Sequence, residues 1–236
     1  MGEREKNNEV RRAMLATIRR HLDKSAPFDA VRGEHHAGHK AMLHSGRTIT
    51  LAAESDSTPT ELFKEMLEAV GGHCVIVSDD VEAAQIVRQI VEGAKAQLIA
   101  VSDSELAQRV VNHLHEETEL LENADTPQLF DCDVGITGAQ WAVAETGTLV
   151  LESDDERHRL TSLVPTVHIA VVESARVRRT LGEVLGAINE KGHKGLSPTV
   201  TFITGPSRTS DIELTLAIGV HGPAELFVII LEGETT

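Results

Sequence analysis

Cysteine is scarce in this chain. Two thiols, Cys74 and Cys132, stand among 236 residues, and no CxxC pair occurs. A thiolate zinc site or a self-contained iron–sulfur cluster takes about four ligands. The cysteine count therefore excludes a cluster held by this chain's own thiols. Both cysteines lie in apolar, strand-like stretches and read as buried, reduced thiols. Long apolar runs are missing too, since no stretch approaches the roughly 18 residues a membrane helix needs. The opening MGEREKNNEVRR has no apolar core of a secretory signal, and Lys6 stands where a myristoylation motif needs Ser or Thr. The expectation is a cytoplasmic protein without a membrane span. Basic residues are also in deficit: 22 Lys and Arg face 37 Asp and Glu, a net charge of −15. Such a chain repels nucleic acid and anionic membranes, so neither is an expected partner. No GxGxxG follows a strand and no GxxxxGK[ST] occurs, which removes the two common nucleotide-phosphate fingerprints.

What is present divides at about residue 57. Val10, Met14, Ile18 and Leu22, with Leu15 beside them, form one apolar stripe on a basic helix. Residues 25–57 lose periodicity and carry His35, His36, His39 and His44. Four close histidines could hold a metal, but no carboxylate or cysteine stands among them to complete a shell, and a polar linker is the favoured reading. The expected division is an N-terminal helix and linker over 1–57 and an α/β domain over 58–236, with no metal site assigned.

From Thr58 the text is regular. Thr58-Pro59-Thr60-Glu61 is a capping box with Pro at the first helical position, and Gly71-Gly72 stops that helix. Apolar runs at 74–77, 98–101, 132–136, 148–151, 168–172, 200–203 and 226–231 alternate with helical patterns of 10 to 15 residues. LFVIIL is apolar without alternation, as a strand covered on both faces should be. The pattern predicts βαβ units and a mainly parallel sheet. The stretch from Thr148 to Val172 lacks a helix, so a hairpin-like excursion is expected there.

Ligands of open α/β sheets bind beyond the carboxyl ends of the strands, and three motifs are assigned to such positions. Glu145-Thr146-Gly147 precedes the run at 148–151. Its carboxylate could act as a base or ligand, although Thr-Gly is also ordinary turn chemistry. Gly205-Pro206-Ser207-Arg208-Thr209-Ser210-Asp211 follows the run at 200–203. Arg208 offers a planar fork for a carboxylate or phosphate, and Ser207 and Thr209 offer hydroxyls. Ser210 or Asp211 would cap a helix suggested by Ile212, Leu214 and Leu216, giving an amide-rich anion site. Gly219-Val220-His221-Gly222-Pro223 precedes the last run, and His221 could move a proton near neutral pH. Each motif also has a plain structural reading as a strand–loop joint.

At DVGITGAQWAVAETGTLVLES, TFITGPSRTSDIELTLAIGVHGP and LFVIIL the chain resembles the lactate-utilisation proteins that share the LUD domain. The match is specific over about the last 110 residues of the chain. Its short length and lack of cysteine clusters resemble the protein C branch of that family. The resemblance implies a three-layer α/β/α fold similar to that of sugar-phosphate isomerases and coenzyme A transferases. It also implies a part in oxidising L-lactate to pyruvate beside lactate-utilisation proteins A and B, which hold the iron–sulfur clusters; this chain would carry no cofactor itself. The matched positions are Glu145, Thr146, Gly147, Gly205, Pro206, Ser207, Arg208, Thr209, Asp211, Gly219, His221, Gly222 and Pro223. For a 2-hydroxy carboxylate, Arg208 with Ser207 and Thr209 would suit a clamp, His221 a base, and Glu145 its orienting group. Two other readings stand beside this one: a free-standing isomerase- or transferase-like enzyme on a phosphorylated or coenzyme A substrate, and a non-catalytic assembly subunit.

Overall fold

The computed structural model describes residues 57–114, 119–122, 124–153, 159–192, 195–210, 216–218 and 222–233. The N-terminal stripe and the His35–His44 cluster lie outside them, as do Asp211, Gly219 and His221.

Local chemistry starts and stops the helices. In α1 (Pro59–Ala69) the Thr58 hydroxyl accepts from Glu61 N at 3.3 Å and Glu61 Oε2 accepts from Thr58 N at 2.8 Å, the reciprocal box read from sequence. α2 (Asp80–Ala94) begins where Asp79 accepts from Glu82 N and ends at Lys95 in the left-handed region. α3 (Glu105–Val111) and the single turn α4 (Thr126–Leu129) follow. α5 (Leu181–Glu190) starts at Thr180, whose hydroxyl accepts from Glu183 N. Val177–Arg178, just ahead of it, is a short strand.

Six strands make the main sheet: β1 (His73–Val77), β2 (Leu98–Val101), β3 (Glu119–Glu122), β4 (Val134–Gly138), β7 (Val167–Glu173) and β12 (Glu225–Leu231). Their order is β1-β12-β7-β4-β2-β3, and every pairing is parallel. A second sheet orders β8 (Val177–Arg178), β5 (Trp141–Val143), β6 (Thr148–Glu152) and β9 (Val200–Thr204). The expected excursion is thus a four-stranded layer opened by the β5–β6 hairpin.

Strand alternation sorts the core into two faces. Ile136, Ile169, Val171 and Ile229 face one way and pack with Ala83, Val87, Val91, Ala107 and Val110 of α2 and α3. Ala170, Val172, Val228 and Ile230 face the other way, onto Phe63 and Leu67 of α1 and Leu149 and Leu151 of β6. Val184 and Ile188 of α5 close the outer side of the small sheet on Trp141, Val143 and Val150. The result is the expected three-layer α/β architecture, with the small sheet sharing the second outer layer with α1.

One sequence expectation fails outright. β10 (Arg208–Ser210) and β11 (Leu216–Ile218) pair antiparallel, so Ser210 lies in a strand and caps no helix. Ile212, Leu214, Leu216 and Ile218 recur at every second residue, which is the strand period. The amide-rich helix start expected as an anion site is therefore not formed at Ser210, and Asp211 lies outside the described residues.

Candidate functional site

The first motif is a tight joint. Ala144–Thr146 form a 3-10 turn between β5 and β6. Glu145 Oε1 accepts from Leu181 N at 2.7 Å, and Glu145 N donates to Arg179 O at 3.0 Å. A carboxylate on the first amide of α5 is favourable, because helix amino ends carry partial positive charge. Gly147 closes the turn at φ +61°, pressed on the α1 backbone at Leu67. From there a chain of hydroxyls runs from Thr146 through Thr148 to Thr204, each step 2.7 Å.

The second motif lands on the same helix. Gly205, at φ +74°, packs against Val70 at the end of α1, and Arg208 Nη2 donates to Val70 O at 2.8 Å over Gly71. Carbonyls at a helix end lack partners, and a guanidinium there satisfies one of them. Ser207 N donates to Pro223 O at 2.8 Å, and Gly222 lies against the Ser207 side chain. Pro206 is half-buried between them, and Thr209 pairs through its backbone with Ala217. Thus Thr146, Gly147, Gly205 and Arg208 gather at the last turn of α1, and Ser207 joins them to Gly222 and Pro223.

This cluster does not sit where the sequence argument put it. Gly222 and Pro223 precede β12, and Ala224 N donates to Thr166 O just before β7, so that end of the cluster lies at the amino edge of the main sheet. The other two motifs belong to the small sheet and the β10–β11 ribbon. The carboxyl edge holds something else.

A cavity of about 540 Å3 opens there, lined in part by Asp103, Ser104, Gln140, Trp141, Glu152, Glu173, Arg176 and Lys191. At its wall Glu152 is fully buried at 0% exposure. Trp141 Nε1 donates to its Oε1 at 3.1 Å, Lys191 Nζ donates to both oxygens at 2.8 Å, and Ser197 Oγ donates to Oε2 at 3.2 Å. Gln140 Oε1 accepts from Glu152 N at 2.6 Å. The guanidinium carbons of Arg176 and Arg178 lie 5.0 and 5.1 Å from the Trp141 ring centre, within cation–π range. The sequence reading assigned none of these residues. The available signal was a glutamate closing an otherwise apolar strand, TLVLE, a position that requires partners if it is buried.

Three further buried groups are chemically quiet. Burial pushes the Cys74 thiol up to about 12 and raises Cys132 as well, so both remain protonated thiols. His168 on β7 is wholly buried; its Nε2 lies 2.8 Å from Thr137 Oγ1, and its Nδ1 has no hydrogen-bond partner among the described residues. Desolvation lowers its pKa from 6.5 to about 4. The unfolded chain therefore takes up this proton before the folded one does. Stability contributed by neutral His168 is intact above pH 6.5 and drains as pH falls towards 4. Urea midpoints measured from pH 7 to 4 should fall less steeply in His168→Gln than in the parent. Parallel curves would exclude His168 as a source of acid lability.

The LUD domain family model matches residues 60–231. A Lactate utilization protein C from Geobacillus kaustophilus is 33% identical over 80% of this chain and 74% of that protein. One from Geobacillus thermodenitrificans is 32% identical over 75% and 71%. A third, from Halalkalibacterium halodurans, is 34% identical over half of this chain, the match spanning 54% of that protein. The crystal structure of a DUF162 family protein from Deinococcus radiodurans superposes with a TM-score of 0.57 at 23% identity, over 74% of this chain and 99% of that one. That likeness concerns the fold. Among the described residues, no helix is long and apolar enough to cross a membrane.

Proposed function

This chain belongs to the LUD domain family, and from that premise we propose that it serves lactate utilisation as a cytoplasmic subunit of an L-lactate-oxidising complex. The observation that carries the reading is the pair of Geobacillus relatives, each named Lactate utilization protein C and each matched over more than two-thirds of its length. In this reading the partners are lactate utilisation proteins A and B. Oxidation of lactate to pyruvate removes two electrons and two protons, and the electrons pass to iron–sulfur clusters in those partners. This chain supplies binding and proton chemistry and carries no cluster.

The motif cluster at the end of α1 is the proposed substrate position. Arg208 uses one Nη2 proton on Val70 O and keeps further donors of its five for the lactate carboxylate. Ser207 and Thr209 extend that clamp. Gly205, Pro206, Gly222 and Pro223 shape the loops, with Thr146 and Gly147 alongside; Asp211 and Gly219 belong to the same motifs in sequence. His221 is assigned as the base for the hydroxyl proton and Glu145 as its orienting group.

Two experiments test this. Mild affinity purification of the chain from lactate-grown cells should recover cysteine-rich, iron-containing partners and lactate-oxidising activity; a colourless, inactive chain recovered alone would overturn the complex. In the assembled complex, Arg208→Ala should lower lactate turnover by about tenfold or more, with Arg208→Lys between the two. Normal turnover in a folded Arg208→Ala protein would remove the clamp.

A further inference from the structure

The outgoing connections of the main sheet diverge at one place. β2 leads to β3 on one side, β4 leads to β7 on the other, and β2 and β4 are hydrogen-bonded neighbours. Open parallel sheets bind ligands in the crevice beyond the carboxyl ends of such a pair. The cavity lies there: Ser104 to Leu106 follow β2, Ala139 to Trp141 follow β4, and Arg176 follows β7. Its volume of about 540 Å3 falls in the range of about 300–1,000 Å3 that holds organic ligands, and it suits a molecule larger than lactate.

Most charges of the lining already have partners. Glu152 holds Lys191 at 2.8 Å, Glu173 lies 3.6 Å from Arg109, and Asp103 is not free either. One group of each sign remains. Among the described residues, the side chains of Arg176 and Glu105 make no hydrogen bond or ion pair, and both line the crevice. Trp141 restrains Arg176 through a cation–π contact at 5.0 Å and offers it no acceptor oxygen. The two free groups are spaced by the sheet itself. Glu105 follows β2 and Arg176 follows β7, with β4 between those strands. Neighbouring strands are about 4.8 Å apart, so the two strand ends are separated by roughly 10 Å. An α-ammonium and its carboxylate, with a hydrogen bond of about 2.9 Å at each end, fit that interval. The neighbouring polar groups agree. Gln140 Oε1 accepts from Glu152 N at 2.6 Å, and its NH2 has no partner among the described residues. Ser104, 6% exposed, makes no side-chain bond to α3. A guanidinium with an amide NH2 suits a carboxylate, and a carboxylate with a hydroxyl suits an ammonium. A ligand carrying both charges is neutral overall, so an acidic protein does not repel it.

We propose that this crevice binds a free α-amino acid, its carboxylate on Arg176 and Gln140, its ammonium on Glu105 and Ser104, and its side chain against Leu106 and Ala139. The site is separate from the cluster at the end of α1, and it stands whether or not that cluster binds lactate. The test begins with thermal midpoints of the full chain beside each standard amino acid at about 10 mM. At least one should raise the midpoint. The amino acid with the largest shift is then titrated calorimetrically beside two analogues, the same molecule without its amino group and the same molecule without its carboxyl group. Each analogue should bind about tenfold more weakly or worse. Arg176→Gln and Glu105→Gln should each weaken the amino acid by a similar factor. Arg176→Gln should leave the affinity of the carboxyl-free amine as it was, and Glu105→Gln should leave that of the amino-free acid. A merely structural defect would weaken both analogues together, and two variants are used so that one misfolding leaves the other informative. The proposal is overturned if no amino acid raises the midpoint, if the amino-free acid binds as tightly as the amino acid, or if both variants bind the amino acid as the parent does.

Discussion

Replacing Lys191 with Met is expected to destabilise the domain by about 3 kcal/mol, most of it returned when Glu152→Gln is added. The reason is the asymmetry of the pair. Glu152 has a side chain at 0% exposure, whereas that of Lys191 is 34% exposed. Removing the ammonium strands a carboxylate away from water with, among the described residues, only the Trp141 N–H and the Ser197 hydroxyl left to hold it. An uncompensated buried charge costs about 3–5 kcal/mol, and the partial exposure of Lys191 places this case at the low end. In the double variant the buried group is a neutral amide, whose desolvation is far cheaper. Urea denaturation of the parent, both single variants and the double variant measures the coupling directly. Additive single effects would mean that Lys191 does not hold the charge.

The second large effect is at Gly147. Gly147→Ala should cost about 3 kcal/mol, against about 1 kcal/mol for Gly192→Ala. Both glycines have φ in the left-handed region, +61° and +66°, so both substitutions incur the same backbone strain. They differ in surroundings. A Cβ on Gly192 meets nothing within 4 Å, whereas one on Gly147 would stand 2.6 Å from the Leu67 Cα of α1. Backbone cannot rotate away as a side chain can, so α1 or the β5–β6 turn must shift. Equal thermal midpoints for the two variants would show that α1 gives way freely. A large difference would show that the AETG turn is a fixed seat for α1 and, through Glu145, for the start of α5.

Regular elements were legible because their signals are local. The Thr58 box, the glycines after α1 and the unbroken apolar runs of β7 and β12 each carry their meaning within a dozen residues. β10 and β11 were misread as a loop and a helix because Arg208 to Asp211 resemble a helix start. The two-residue period that contradicts this extends from Ile212 to Ile218. The motif cluster was recognised as text but misplaced, since its position depends on β9 belonging to the small mixed sheet and not to the main one. The carboxyl-edge crevice was missed altogether. Gln140, Glu152, Arg176 and Lys191 come from four different elements, and none belongs to a short motif. Only the pairing of β5 with β6 brings Gln140 and Trp141 onto Glu152.

The strand order also governs how the chain can be made. β12, the last of the described strands to be synthesised, lies inside the sheet between β1 and β7, and its Phe227 pairs with His73 of β1. A chain emerging at about 5–20 residues per second therefore holds β1 without its neighbour until nearly the whole domain has been synthesised. Pairing over so long a loop is slow. During that interval an apolar strand, His73–Val77, waits unpaired on both edges, and translation of this domain is the period in which it is most exposed to aggregation.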